Sequence, residues 1–160
     1  QLIVRTKEAY DGAVPSGNSA AARVLQQLAQ ITGQTKWQEI LDKQLHYLAG
    51  AMAGYPPGHS YGLLVMMDVL YPAKELVCTL SSGPDTERRR KLAAQLANLA
   101  VTAEGLTVVV KTEENAREME RLIPYTKDYP VPDTGELFYL CVGHECMQPV
   151  PQLEQLIEKL

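Results

Sequence analysis

Asp11 heads a polar, turn-forming stretch, Asp11-Gly12 and then Pro15-Ser16-Gly17-Asn18-Ser19, that passes directly into a helical pattern. A carboxylate in such a place can serve as acid, base or binder of hydroxyl groups. Glycoside hydrolysis needs a second carboxylate nearby, and Glu8 and Asp68 are the available ones. The helix start adds unpaired backbone amides and partial positive charge. Ser16, Gly17, Asn18 and Ser19 are therefore candidate ligand-binding residues for a polar or anionic group. They serve equally well without a ligand: Ser16, Asn18 or Ser19 can cap the helix, and Gly12 and Gly17 permit close backbone approach. His59, following Pro56-Pro57-Gly58, is the second catalytic candidate, because imidazole titrates near neutrality. Its structural alternative is a loop or capping residue.

Cys141 and Cys146 bracket His144, and Cys78 stands far from them in sequence. Thiols and an imidazole can hold zinc, so Cys141, His144 and Cys146 are metal candidates. Their spacing is looser than that of zinc knuckles. A Cys141–Cys146 disulfide is sterically open but disfavoured in a reducing compartment, and buried, inert thiols are the default expectation. No spacing in the chain calls for a cofactor.

Helices must position the first group of candidates. Ala21, Val24, Leu25 and Leu28 recur at helical spacing, and Gly33 stops that helix. Trp37, Ile40, Leu41, Leu45, Leu48 and Met52 stripe a second, ended by Gly54 and Pro56-Pro57. The stretch SYGLLVMMDVLY after His59 is apolar all round, which predicts a helix buried on every side. After Pro72 the pattern shifts to β-branched and aromatic runs at 74–80, 106–112 and 136–143. Helical stretches separate them, carrying Leu92, Leu96 and Leu99, then Ala116, Met119, Leu122 and Ile123. A last helix is expected over 151–160. The loop 124–135 reads as the most mobile segment.

This order predicts an α/β chain in two parts. Residues 1–72 form a helical segment. Residues 73–160 form a small βαβαβα unit with three mostly parallel strands. In a parallel sheet the loops leaving the strands gather at one edge. Ser81, Ser82 and Gly83 would then meet His144 in a small polar pocket.

The chain has 160 residues and a net charge of −4, with 15 Lys and Arg against 19 Asp and Glu. That balance argues against nucleic acid as a partner. No run is long enough to span a membrane, and the odd cysteine count points to the cytoplasm. The chain starts with Gln, which suggests a piece of a longer protein.

Three segments together, KEAYDGAVPSGNSAAA (7–22), YPPGHSYGLLVMMDVL (55–70) and FYLCVGHECMQPV (138–150), resemble the C-terminal part of the YyaL-like family, the thioredoxin-domain-containing or spermatogenesis-associated proteins. The resemblance covers nearly the whole chain. It implies the closing helices of an α/α toroid like that of six-hairpin glycosidases, followed by a small α/β tail. It also implies a parent with an N-terminal thioredoxin-like domain and a carbohydrate-active or isomerase-like ring, whose remaining helices and thioredoxin-like domain would be this chain's partners. The competing reading is a non-catalytic scaffold for that domain. Gly143-His144-Glu145 depart from the aromatic and Asn that the family tends to carry between the paired cysteines. Helix stripes made for absent ring neighbours would be exposed, and exposed stripes attract partners. A homodimer through residues 1–55 is the resulting expectation.

Overall fold

Ser16 begins the first helix. Its backbone is extended, with φ −66° and ψ 153°, and its side chain accepts the Ser19 amide, so α1 runs Gly17–Thr32. Gly33 closes it in the left-handed region at φ 62°, which a residue without Cβ adopts freely. Helix α2 spans Thr35–Met52, a 3₁₀ turn follows at Pro56–His59, and α3 spans Ser60–Leu70. The structure is a computed structural model that describes residues 7–83, 86–103, 105–143, 145–157 and 159. The chain divides into two compact units between Tyr71 and Pro72.

In the helical unit, α1 packs on both α2 and α3. Ala9, Ala22, Leu48, Met52 and Val65 form the core. Ala22 is fully buried, and its small side chain lets the helices approach. The buried side of α1 carries Ser19 and Ala22. The expected stripe is displaced from it: Val24 is 55% exposed. Small residues make the close contact here, and hydrophobic periodicity weights them too lightly to find the phase. On α2, Leu41, Leu48 and Met52 are buried as their spacing predicts, whereas Ile40 is exposed. The expectation of a fully enclosed third helix is corrected. Gly62 and Val65 are buried, but Leu64, Met67 and Leu70 are exposed, Leu70 at 82%. An all-apolar helix has no polar face to reveal which side the fold leaves open.

The second unit contains β1 (Lys74–Leu80), α4 (Thr86–Thr102), β2 (Leu106–Thr112), α5 (Ala116–Leu122), β3 (Glu136–Val142), β4 (Glu145–Cys146) and α6 (Glu154–Ile157). It is an α/β unit with a four-stranded mixed sheet in the order β2-β1-β3-β4. This corrects the mostly parallel, three-stranded expectation. β1 and β2 are parallel, but β3 runs antiparallel to β1, with Leu80 opposite Glu136 and Lys74 opposite Val142. The cause is the connection. Helix α4 is 17 residues, about 25 Å, enough to carry the chain back along a strand. Helix α5 has only 7 residues. After it, residues 124–129 turn back over the sheet, and the proline-rich stretch that follows brings Gly135 to Ser81, at the end where β1 leaves. The segment expected to be mobile is thus a built cover: Pro124–Asp128 is a 3₁₀ turn and Thr126 is fully buried.

One face of the sheet, with Leu76, Cys78, Leu106, Phe138 and Leu140, packs on Leu92 and Leu96 of α4 and on Leu153 and Leu156. The final helix is shorter than expected, a single turn after Pro151. The other face carries Lys111, Tyr139 and Cys141 and is covered by Ile123, Thr126 and Tyr129. Among the described residues no helix is long and apolar enough to cross a membrane.

Candidate functional site

Asp11 lies where the loop before α1 meets the start of α3. It is buried, with 7% of its surface exposed. Its Oδ1 accepts the Ser16 amide at 2.8 Å. Its Oδ2 accepts the Ser19 hydroxyl at 3.1 Å and the Gly62 amide at 2.9 Å. Ser16 in turn donates its hydroxyl to Ser19 Oγ at 2.9 Å and accepts the Ser19 amide at 3.1 Å. Gly62 is in the first turn of α3, so one carboxylate serves two helix N-termini, where negative charge is favoured. Burial pushes the Asp11 carboxyl upward, but the Ser16 and Gly62 amides and the two serine hydroxyls outweigh it and hold it below its ordinary value.

The neighbouring candidates are tied down in the same way. Asn18 donates its side-chain amide to the Glu8 carbonyl at 2.6 Å and accepts from Gln44 at 3.1 Å. Gly17 has open space where a Cβ would stand. His59 is 7% exposed, and its Nδ1 donates to the Ala9 carbonyl at 2.7 Å. Because a carbonyl can only accept, that bond places the Nδ1 hydrogen on Ala9. Tyr10 meets the His59 ring edge-on at 6.2 Å. Of the second carboxylates, Asp68 is engaged by Arg23, and Glu8 is exposed.

The expected pocket of Ser81, Ser82, Gly83 and His144 does not form. Antiparallel pairing puts the loop after β1 beside the start of β3, and the loop after β3 at the opposite end of the sheet. His144 itself lies outside the described residues. Ser81 donates its hydroxyl to the Gly135 carbonyl at 3.0 Å, and Ser82 donates to Glu114 at 3.0 Å. Ser81 and Gly83 border a small hollow of about 160 Å³, with Arg88 and Arg89 beside it. The Arg89 guanidinium donates to the Ser81 carbonyl.

The expectation of inert thiols at 141 and 146 is also corrected. β3 and β4 form a hairpin that puts Cys141 opposite Cys146, and the two are joined as a disulfide. Cys78 is on the other face of the sheet, so the thiols do not converge on a metal. It is unbridged and fully buried, and burial, with Glu136 nearby, pushes its thiol up to about 12. Among the described residues no group of three or more His, Cys, Asp and Glu could hold a metal ion.

Two features escape the sequence reading. Lys111 is 2% exposed on β2. Its ammonium donates to the carbonyls of Thr126 at 2.8 Å and Tyr129 at 2.9 Å and pairs with Glu120 at 2.7 Å. Tyr129 lies against Tyr139, ring centroids 4.8 Å apart, with its hydroxyl at the disulfide. A lone Lys inside an apolar strand is the signal that could have pointed to the first. No family model, curated protein or solved structure matches the chain.

Proposed function

We propose that this chain is a non-catalytic scaffold and docking module, formed by the closing helices of an α/α toroid and an α/β tail, within a parent of the YyaL-like, thioredoxin-domain-containing kind. The observation that carries the reading is the Asp11 carboxylate: both oxygens are engaged by the protein's own donors, in the loop where sugar chemistry would need one turned toward a ligand. The exposed Val24, Ile40, Leu64, Met67 and Leu70 support the second half of the proposal. They are what helices made to meet further ring helices would present. The partners are thus the remaining toroid helices and the thioredoxin-like domain of the parent, with a second copy substituting through residues 1–55 when they are absent.

A carbohydrate-active or isomerase-like parent is the second reading. It is favoured by the burial of His59 beside the Asp11 loop, since the Asp11 amide donates to the Gly58 carbonyl at 2.7 Å. A cytoplasmic setting rests on the cysteine count, and a reducing compartment would act on the Cys141–Cys146 bridge.

Thermal unfolding with a broad panel of sugars separates the two. The scaffold reading expects no shift. A shift that Asp11→Asn abolishes would overturn it in favour of the enzyme. Light scattering at high protein concentration tests the docking half, which expects a dimer that Val24→Glu with Ile40→Glu dissociates.

A further inference from the structure

The Cys141–Cys146 bridge is asymmetric. Cys141 is 3% exposed in the middle of the sheet, whereas Cys146 is exposed on the two-residue strand β4. The Tyr129 hydroxyl stands 3.2 Å from Cys141 Sγ and 3.0 Å from Cys146 Sγ. A disulfide sulfur has no proton to give, so the tyrosine is the donor in both contacts. Burial first, then the charges of Glu75 and Asp128 and the nearby Tyr139, push the Tyr129 hydroxyl above its ordinary range, which keeps it protonated and able to donate.

The bridge does not act alone in holding the end of the sheet. The Met147 amide donates to the Leu140 carbonyl at 2.9 Å, and Phe138 and Val150 exchange backbone hydrogen bonds at 2.9 and 3.0 Å. These hold the returning chain along β3. A disulfide closing so short a loop adds less chain-entropy stabilisation than one closing a long loop.

We propose that Cys141–Cys146 is a reversible thiol–disulfide site, opened by a small-molecule thiol that attacks Cys146 and releases Cys141 beside Tyr129. Of the two bridged residues Cys146 is the exposed one and Cys141 the buried one, so an attacking thiol reaches the bridge from the Cys146 side, and exchange requires attack in line with the S–S bond. The attacking thiolate forms a new S–S bond to Cys146 Sγ. The Cys141–Cys146 bond breaks, and its electron pair goes to Cys141 Sγ. That buried thiolate is held by the hydrogen bond from Tyr129, which lowers the cost of its charge. The product is a mixed disulfide on Cys146. It has two fates. Cys141 attacks back and expels the small thiol, restoring the bridge. Alternatively a second small thiol attacks the mixed disulfide, leaving two protein thiols and one oxidised small-molecule disulfide. Tyr129 touches the reacting sulfur and is the catalytic residue of the opening step. The site is independent of the scaffold reading.

The test uses the whole chain in a buffer of reduced and oxidised glutathione, with intact and peptide mass spectrometry and circular dichroism in parallel. The expected result is an adduct mapped to Cys146 under native conditions with an unchanged fold. Cys141→Ser keeps that adduct, having lost its resolving thiol. Cys146→Ser forms none while folded. Tyr129→Phe, checked for native circular dichroism, opens the bridge about tenfold more slowly, the effect of one hydrogen bond to a charged group. An adduct on Cys141, opening only under conditions that unfold the sheet, or opening of Tyr129→Phe at the wild-type rate overturns the proposal.

Discussion

Asp11 Oδ2 and the Gly62 amide lie 2.9 Å apart across 51 residues of chain. That contact joins the loop before α1 to the start of α3, and the same carboxylate also holds Ser16 and Ser19. A buried charge is tolerated when its hydrogen-bonding capacity is filled, and here two helix N-termini fill it. The conspicuous polar loop is therefore explained first as the joint of a three-helix unit.

Asp11→Ala removes the acceptor for three donors at once. A buried donor left without a partner costs about 1–3 kcal/mol. Water reaching part of the vacated space will limit the total, so a loss of about 3 kcal/mol is expected from the whole joint. Urea unfolding followed by far-ultraviolet circular dichroism measures it. A loss within error of zero would show that the joint is decorative.

The same carboxylate predicts an acid-sensitive unit. Its folded-state value is lowered from the ordinary 3.8, so the unfolded chain takes up the proton first as pH falls. The stabilisation is complete above about pH 5 and is lost as pH drops through the lowered folded value. The urea midpoint should fall below pH 4 in the wild type and show a shallower fall in Asp11→Asn. Equal slopes in the two proteins would remove Asp11 from the acid response.

How much of this was legible depends on whether the signal is local. The Ser16 cap and the Gly33 stop can be read from neighbouring residues, and the structure has both. The exposed side of α3 was not legible, because Leu64, Met67 and Leu70 are chemically like the residues that are buried. The direction of β3 depends on where the chain between residues 113 and 135 travels, which no pattern within the strand records. The Cys141–Cys146 bridge follows from the β3–β4 register, with Gly143 at φ 56° making the turn. For the candidate site, the residue types at 11, 16 and 19 were legible. That their groups point at one another and not at a ligand was a matter of tertiary geometry.

Two helical glycines should respond in opposite directions to the same substitution. Gly50 is exposed in α2, and an added Cβ meets nothing within 4 Å. Gly50→Ala should stabilise by about 0.5–1 kcal/mol through helix propensity. At Gly62 a Cβ would come within 2.4 Å of Met52 Cε and 3.1 Å of Ser19 Oγ. Met52 is itself only 4% exposed, so its tip has little room to yield. Overpacking costs about 1–3 kcal/mol, which leaves Gly62→Ala destabilising by about 1 kcal/mol despite the propensity gain. Parallel thermal melts decide it, and two stabilised variants would mean that the packing around Gly62 is loose.

In the sheet unit the corresponding joint is Lys111. Its ammonium has three donors and meets three acceptors: the Thr126 and Tyr129 carbonyls and Glu120. Both carbonyls belong to the segment that covers the sheet face, so the lysine clamps that cover from below. Lys111→Met keeps the apolar stem but leaves the carbonyls without a donor, at about 3 kcal/mol. Glu120→Gln should cost less, about 1 kcal/mol, because Glu120 is 36% exposed and water can replace it. The cover should also loosen locally, so hydrogen exchange at residues 126–129 should speed up more in Lys111→Met than exchange in β1. Uniform acceleration across the sheet would mean that Lys111 supports the whole unit and not the cover alone.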